Sequence, residues 1–357
     1  MMSPSAVAVR RARVYLDLTP YVRGPSTGIG RSAYGTYLAL ERLAREDASV
    51  AARYEFRAVQ RGSEAGAAME NLGWWRSLRG ERGAILHTFD HKMPPFWAGR
   101  RLLTFHDAWT LWPNEYQDEK FRARQAPKLR KALARAHGIV TPTRAVAADL
   151  ARVLPQLAAF VEAVAWGREN LDAPVATEEA SPAAKPFVAI VGIVEPRKNT
   201  LYAIESLARL PDLNFVVVGA PGFRGEEIFA QIRARFGARV RCVRSLGEAA
   251  RRRLYAEAEA VVLPSKDEGF GLVSVEAAAE GARVLLSDIP PFREILPEAM
   301  AFPLDDGGNR LLAMLTALRN DPDRAKAYGS VLREASRRFT WEATARGYLS
   351  AYDRLRA

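Results

Sequence analysis

FVAIVGIVEPRKNTLYAIESLARLPDLNFVVVGA, residues 187–220, places two short apolar runs on either side of an amphipathic stretch. FVAIVGI and NFVVVGA are nearly continuous in Val, Ile and Phe. A strand wetted on one face would alternate, so both read as strands covered on both faces. Between them, TLYAIESLARL spaces its large apolar residues three to four apart, the period of a helix. Strand, helix and strand in this order belong to a parallel sheet with helices on its faces.

The same rhythm extends outward in both directions. RVYLDLT, YEFRAVQ, AILHTFD, RLLTFHD, GIVTPT and FVEAVAW are the strand candidates before it. VRCVRS, AVVLPS and RVLLSD follow it. GRSAYGTYLALERLARE, EEIFAQIRARFG and EAARRRLYAEAEA supply helices between them. At 357 residues the chain exceeds one ordinary core, and about 100–200 residues per domain predicts two. Residues 169–186, rich in Pro, Ala and acidic residues without a period, read as a linker. The fold class is therefore α/β, with two doubly wound Rossmann-like domains, 1–168 and 187–339, facing a cleft. In open sheets of this kind ligands sit beyond the carboxyl ends of the strands.

Bulk composition narrows the function. No apolar run approaches the roughly 20 residues of a membrane helix, and the opening MMSPSAVAVRRARVYLDLTP reads as a first strand rather than a signal peptide. Cys242 is the single cysteine, so no internal disulfide can form, and a cytoplasmic location is expected. The net charge of +11, from 52 basic against 41 acidic residues, points to anionic partners. Without an RNA-binding aromatic motif, zinc spacing or helix-turn-helix pattern, nucleic acid is not expected among them.

PSKDEGFGLVSVEAAAEG, residues 264–281, carries two glutamates eight apart, Glu268 on a loop after a strand and Glu276 in the following helix. Gly269 and Gly271, around Phe270, let a ligand approach the backbone, and the amides of Gly271, Leu272 and Val273 are unpaired first-turn donors. Such a helix start favours phosphate, and nearby carboxylates accept from hydroxyl groups. A ligand with both fits; so does a plain helix with one acid on its dipole and one solvated glutamate. In VGIVEPRKN, Arg197 and Lys198 oppose the dipole of the next helix, a locally costly arrangement that a shared diphosphate would relieve. A solvated basic turn is the simpler alternative. His106, in LTFHDAW, follows a strand of the first domain and is either a ligand of the cleft or satisfied within its loop. GPSTGIGRSAYGTYLAL, residues 24–40, opens a helix with Gly28 and Gly30 but has Ala33 where a dinucleotide-binding loop has its third glycine.

Together these stretches resemble the retaining nucleotide-sugar glycosyltransferases of family 4, with the GT-B fold. The likeness runs from about residue 13 to 355 and is densest between 186 and 300. It implies that Glu268 contacts the transferred sugar and that Glu276 holds the ribose hydroxyls. It further implies that Arg197 and Lys198 bind the diphosphate under the Gly28–Gly30 loop, that Gly269, Phe270, Gly271, Leu272 and Val273 contact the donor, and that His106 meets the sugar near its reacting carbon. Arg31 and Asp107 would lie on the acceptor side, and His106, Lys198 and Glu268 would be the catalytic set. The C-terminal RRFTWEATARGYLSAYDRL resembles the family's last helix, about 340–357, which completes the first domain. Three positions depart from the family: LVSV replaces Leu-Pro-Val-Leu, Arg283 stands where Pro is common, and Ile193 stands where many relatives have Arg.

The resemblance implies transfer of a hexose from a GDP- or UDP-sugar to a hydroxyl acceptor with retention, by same-face attack assisted by the leaving phosphate. No metal or other cofactor is expected, because the cations take its place. GAPGFRGEEI resembles mannosyltransferase-like members, which favours mannose, and a surface polysaccharide or lipid-linked glycan is the expected acceptor. The alternatives are a GT-B epimerase or phosphorylase, or a non-catalytic nucleotide-sugar-binding partner in polysaccharide assembly. The basic runs 120–138 and Arg251–Arg253 read as solvated helix faces, or as peripheral contacts with an anionic membrane or lipid-diphosphate acceptor. Trp74 and Trp75, in a stretch of poor periodicity, belong to an acceptor loop or a docked helix.

Overall fold

The computed structural model describes residues 11–24, 27–61, 70–72, 82–94, 97–168 and 184–357. Trp74, Trp75 and all but the last three residues of the expected linker lie outside these. The first sheet contains β1 (Ala12–Asp17), β2 (Tyr54–Arg61), β3 (Glu70–Leu72), β4 (Ile85–Thr88), β5 (Arg100–Thr104), β6 (Gly138–Thr141) and β7 (Val161–Ala163). Its order is β3-β2-β1-β4-β5-β6-β7. The second contains β8 (Phe187–Val191), β9 (Asn214–Val218), β10 (Val240–Val243), β11 (Ala260–Leu263), β12 (Val284–Ser287) and β13 (Met300–Phe302), in the order β10-β9-β8-β11-β12-β13. All pairings are parallel, as the continuous apolar runs require.

Each sheet reverses its winding once, between β1 and β4 and between β8 and β11. At such a switch point adjacent crossovers leave the sheet on opposite faces and open a crevice above the strand ends. β3 and β13 were absent from the expected strands; each is only three residues long. β5 stops at Thr104, so Phe105, His106 and Asp107 lie beyond the strand end.

The helix Trp341–Arg356 returns to the first sheet. Ala345, Tyr348 and Tyr352 are buried in one core with Val14, Leu16 and Phe56. Thr340 caps the helix through the Ala343 amide at 3.1 Å. Two buried tyrosines cannot leave their hydroxyls unpaired at low cost. Tyr352 meets His87 Nδ1 at 2.7 Å, while Thr104 meets His87 Nε2 at 2.8 Å and Tyr348 at 2.9 Å. A Cβ on Gly35 would stand 2.5 Å from the Trp341 ring, so the helix Gly28–Glu46 seats directly on this crossing. Among the described residues, no helix is long and apolar enough to cross a membrane.

Candidate active site

The second switch point sets two loops side by side. Val188 of β8 pairs with Ala260 of β11, and beyond the strands the Lys266 amide donates to the Arg197 carbonyl at 2.8 Å. The Lys198 ammonium donates to Glu268 Oε1 at 2.5 Å, and Ser265 Oγ donates to the same oxygen at 2.7 Å. Burial pushes the Glu268 carboxyl up, but Lys198, Arg197 and these hydrogen bonds outweigh it and hold the group below the usual carboxylate range. Glu268 is therefore an oriented anion.

Arg197 is engaged differently from its expected role. Its Nη2 lies 2.7 Å from Glu195, its Nη1 donates to the Asp267 carbonyl at 2.8 Å, and Glu268 Oε2 is 3.6 Å away. Its face lies over the Trp109 ring of the first domain, 5.5 Å from the centroid. These contacts make Arg197 a buried tie between loops and domains; Lys198, with one carboxylate partner, is the more exposed cation.

The acidic loop rests on the first domain. A Cβ on Gly269 would lie 2.1 Å from the His106 carbonyl oxygen, so only glycine permits this approach. Thr143 Oγ1 donates to the Gly269 carbonyl at 3.0 Å. His106 is nearly buried, and burial lowers its imidazole to about 4, so the ring is neutral at ordinary pH. Nε2 lies 2.6 Å from the Phe89 carbonyl and must donate to it. Nδ1 is then the acceptor, and among the described residues it is buried without a hydrogen-bond partner. Burial also raises the carboxyl of Asp107, with Arg197 opposing. Asp267 rises to about 7 through burial and the nearby Asp107 charge.

The other acid of the pair also meets the first domain. Glu276 Oε1 binds Arg31 Nη2, while Oε2 lies 3.6 Å from Arg251 and 3.4 Å from the Tyr255 hydroxyl. Gly28 is opposite Leu272, whose Cδ1 would be 3.8 Å from an added Cβ. Thr27 caps the helix Gly28–Glu46 by accepting from the Gly30 amide at 3.0 Å. Gly30 is required by that turn, since its Cβ would fall 2.3 Å from the Gly24 carbonyl. Beside the Arg31–Glu276 pair a cavity of about 590 Å³ opens between Tyr34, Leu38, Arg251 and Trp341.

The structure thus brings His106, Asp107, Lys198, Glu268 and Gly269 to one place, and Gly28, Arg31, Leu272 and Glu276 to another along the same domain interface. Phe270 requires a correction. Expected to contact donor, its ring instead packs with Trp166, Val275, Ile295 and Phe339, because the Gly-Phe-Gly turn directs it into the hydrophobic seam. The Leu272 side chain shares that seam, and Val273 packs on the second domain's core, which leaves their amides as the groups a ligand could use. Gly271 has φ 86, and a Cβ there would strike Phe292 at 2.5 Å.

The basic run Arg251–Arg253 is also not an open patch: Arg252 binds Glu280 at 2.5 Å, Arg253 binds Glu257 at 2.7 Å, and Arg251 faces Glu276. Asp321 and Asp323, the chain's Asp-x-Asp run, sit at the start of the helix Pro322–Ser336, where Asp321 caps the Arg324 amide. Sequence reading missed Glu195, Trp109, Asp267 and Tyr255. Only Asp267, next to Glu268, carried a signal, as a second acid on a strand-end loop.

A family model described as "Glycosyl transferases group 1" matches residues 176–304. The serotype-specific mannosyltransferase WbdA of Escherichia coli is 34% identical over 125 residues, 33% of this chain and 15% of that protein. The phosphatidyl-myo-inositol mannosyltransferase of Mycobacterium leprae is 31% identical over 170 residues, 44% of each. The chain therefore spans less than half the length of these relatives in the matched region. Across nearly the whole fold, sucrose-phosphate synthase from Thermosynechococcus elongatus superposes with TM-score 0.69 at 18% identity, covering 97% of this chain and 99% of that one. The fold is GT-B, the likeness to group 1 glycosyl transferases falls on residues 176–304, and mannosyltransferases are among the relatives.

Proposed function

We propose that this chain is a retaining hexosyltransferase, taking the sugar of a GDP- or UDP-hexose to a hydroxyl acceptor in surface polysaccharide or glycolipid synthesis. The observation that carries this reading is the facing of two charge sets across one interface. Lys198 and Glu268 lie against the His106–Asp107 loop, and Glu276 lies against Arg31 at the glycine-rich helix start. Its supports are the group 1 model over residues 176–304 and the mannosyltransferases among the chain's relatives.

The site's own carboxylates hold its cations, Glu268 on Lys198 and Glu276 on Arg31. A nucleotide sugar would exchange these partners: ribose hydroxyls take Glu276 from Arg31, and the diphosphate takes Lys198. The Leu272 and Val273 amides add donors without reorganisation. The sugar's hydroxyls donate to the oriented Glu268 carboxylate and to the bare His106 Nδ1. As the anomeric C–O bond breaks, its electron pair goes to the diphosphate oxygen, where Lys198 and the amides stabilise the growing charge. The acceptor hydroxyl bonds to the same face of the carbon and its proton passes to that leaving oxygen. These cations supply the stabilisation that a divalent metal would otherwise give. Thermal-shift screening of UDP, GDP and ADP sugars, followed by NMR of the product's anomeric centre, tests the reading. Retained configuration is expected; inverted product, or no donor turned over with excess acceptor, rejects it.

A further inference from the structure

On the first domain a second cavity, of about 750 Å³, gathers cations from four separate elements. Arg23 ends the turn after β1, Arg61 ends β2, and His91 and Lys92 follow β4. Lys128 and Lys131 reach it from the helix Glu119–Arg135, within the basic run that donor binding does not use. Among the described residues no carboxylate lines the cavity. Asp17 and Asp90 instead grip Arg61, at 2.7 and 2.5 Å, and so fix its direction. Arg23, Lys92, Lys128 and Lys131 form no ion pair among the described residues.

Unbalanced like charges converging on one space repel, and a multivalent anion removes that cost. His91 reports the field: burial holds its imidazole below the usual range, Asp90 opposes, and Lys92, Arg61 and Lys128 add to the lowering. The cavity is also joined to the reacting side of the fold. Phe89, two residues before His91, supplies the carbonyl that orients His106.

We infer that this cavity is an anion subsite for the acceptor, holding a phosphate or diphosphate group carried by the molecule that receives the sugar. The assignment rests on the glycosyltransferase reading, which places the acceptor on the first domain. Arg61, held by Asp17 and Asp90, forms part of the cavity wall, and Lys92, Lys128 and Lys131 are the mobile point charges that adapt to the size of the anionic group.

The test uses the full chain with labelled histidine and the exposed double variant Lys128→Gln/Lys131→Gln, its fold checked by circular dichroism. Inorganic pyrophosphate should raise the His91 titration midpoint by about half a unit to one unit in the parent protein. In the double variant that shift should be lost and pyrophosphate binding weakened about tenfold. A parallel arm measures sedimentation with phosphatidylcholine vesicles containing phosphatidylglycerol. Loss of vesicle binding in the double variant, without a pyrophosphate response, assigns the same anion site to a lipid phosphate. No response in either arm, or an equal response in the double variant, overturns the inference. Nucleotide-sugar binding should match the parent in the double variant. Failure of the parent itself to bind donor would count against the transferase reading and leave the His91 result standing on its own.

Discussion

Glu276 is 2% exposed and faces two guanidinium groups and a phenol. Nothing in packing demands a carboxylate there, and a buried acid held by partners from both domains is costly unless it serves a ligand. Glu276→Ala should weaken nucleotide-sugar binding by about ten- to a hundredfold, the cost of charged hydrogen bonds to two hydroxyls. Isothermal titration with the donor checks this, and unchanged affinity would place the ribose elsewhere. Asp267 makes a pH prediction. Its folded value of about 7 lies above the ordinary carboxylate value, so it stays protonated in the fold while the open chain has ionised. Stability is therefore lost as pH rises from about 4 to about 7 and levels off above. Asp267→Asn removes that loss, so its melting-temperature advantage over the parent should widen between pH 5 and pH 8. A constant difference would show that Asp267 ionises freely in the fold.

At the scale of elements, contact between the domains depends on small features of loop ends. Glu294 of the second domain accepts from the Arg144 and Ala145 amides at 2.9 and 3.0 Å, capping a first-domain helix across the interface. Gly269 lies against His106 from the other side. Gly269→Ala must push the Glu268 loop away from the histidine, costing about 1–3 kcal/mol of stability and lowering turnover more than donor affinity. Steady-state kinetics beside thermal melting will show whether kcat falls; an unaltered kcat would detach His106 from the chemistry. Much of this scale was legible in sequence. FVAIV and AVVL betray buried parallel strands because both faces are covered, and Lys198 and Glu268 could be placed just past strand ends. β3 and β13 escaped because three residues hold no period. The ring of Phe270 was misplaced because a Gly-Phe-Gly turn does not state which way its side chain falls. Arg31 and Glu276 are 245 positions apart, and only the docking of two domains makes them partners.

Across the whole molecule, the two sheets are fastened at three levels. The helix Trp341–Arg356 crosses back into the first core, and Trp166, Phe270, Leu272 and Phe339 make a hydrophobic seam beside it. Ion pairs complete the closure, with Lys266 on Glu115 and Arg31 on Glu276. The seam is apolar, whereas the ion pairs are charged contacts; in the proposed reaction the donor exchanges partners at Glu276 and Lys198 while the seam keeps the domains joined. In the proposed reaction this exchange delivers a diphosphate to Lys198. That delivery is tested most directly by turnover of the nucleotide sugar identified by screening, in Lys198→Ala against the parent protein at saturating donor. A fall of about a hundred- to a thousandfold in kcat is predicted, the effect of removing one preorganised donor to a developing anion. Parent-level turnover in that variant would contradict the claim.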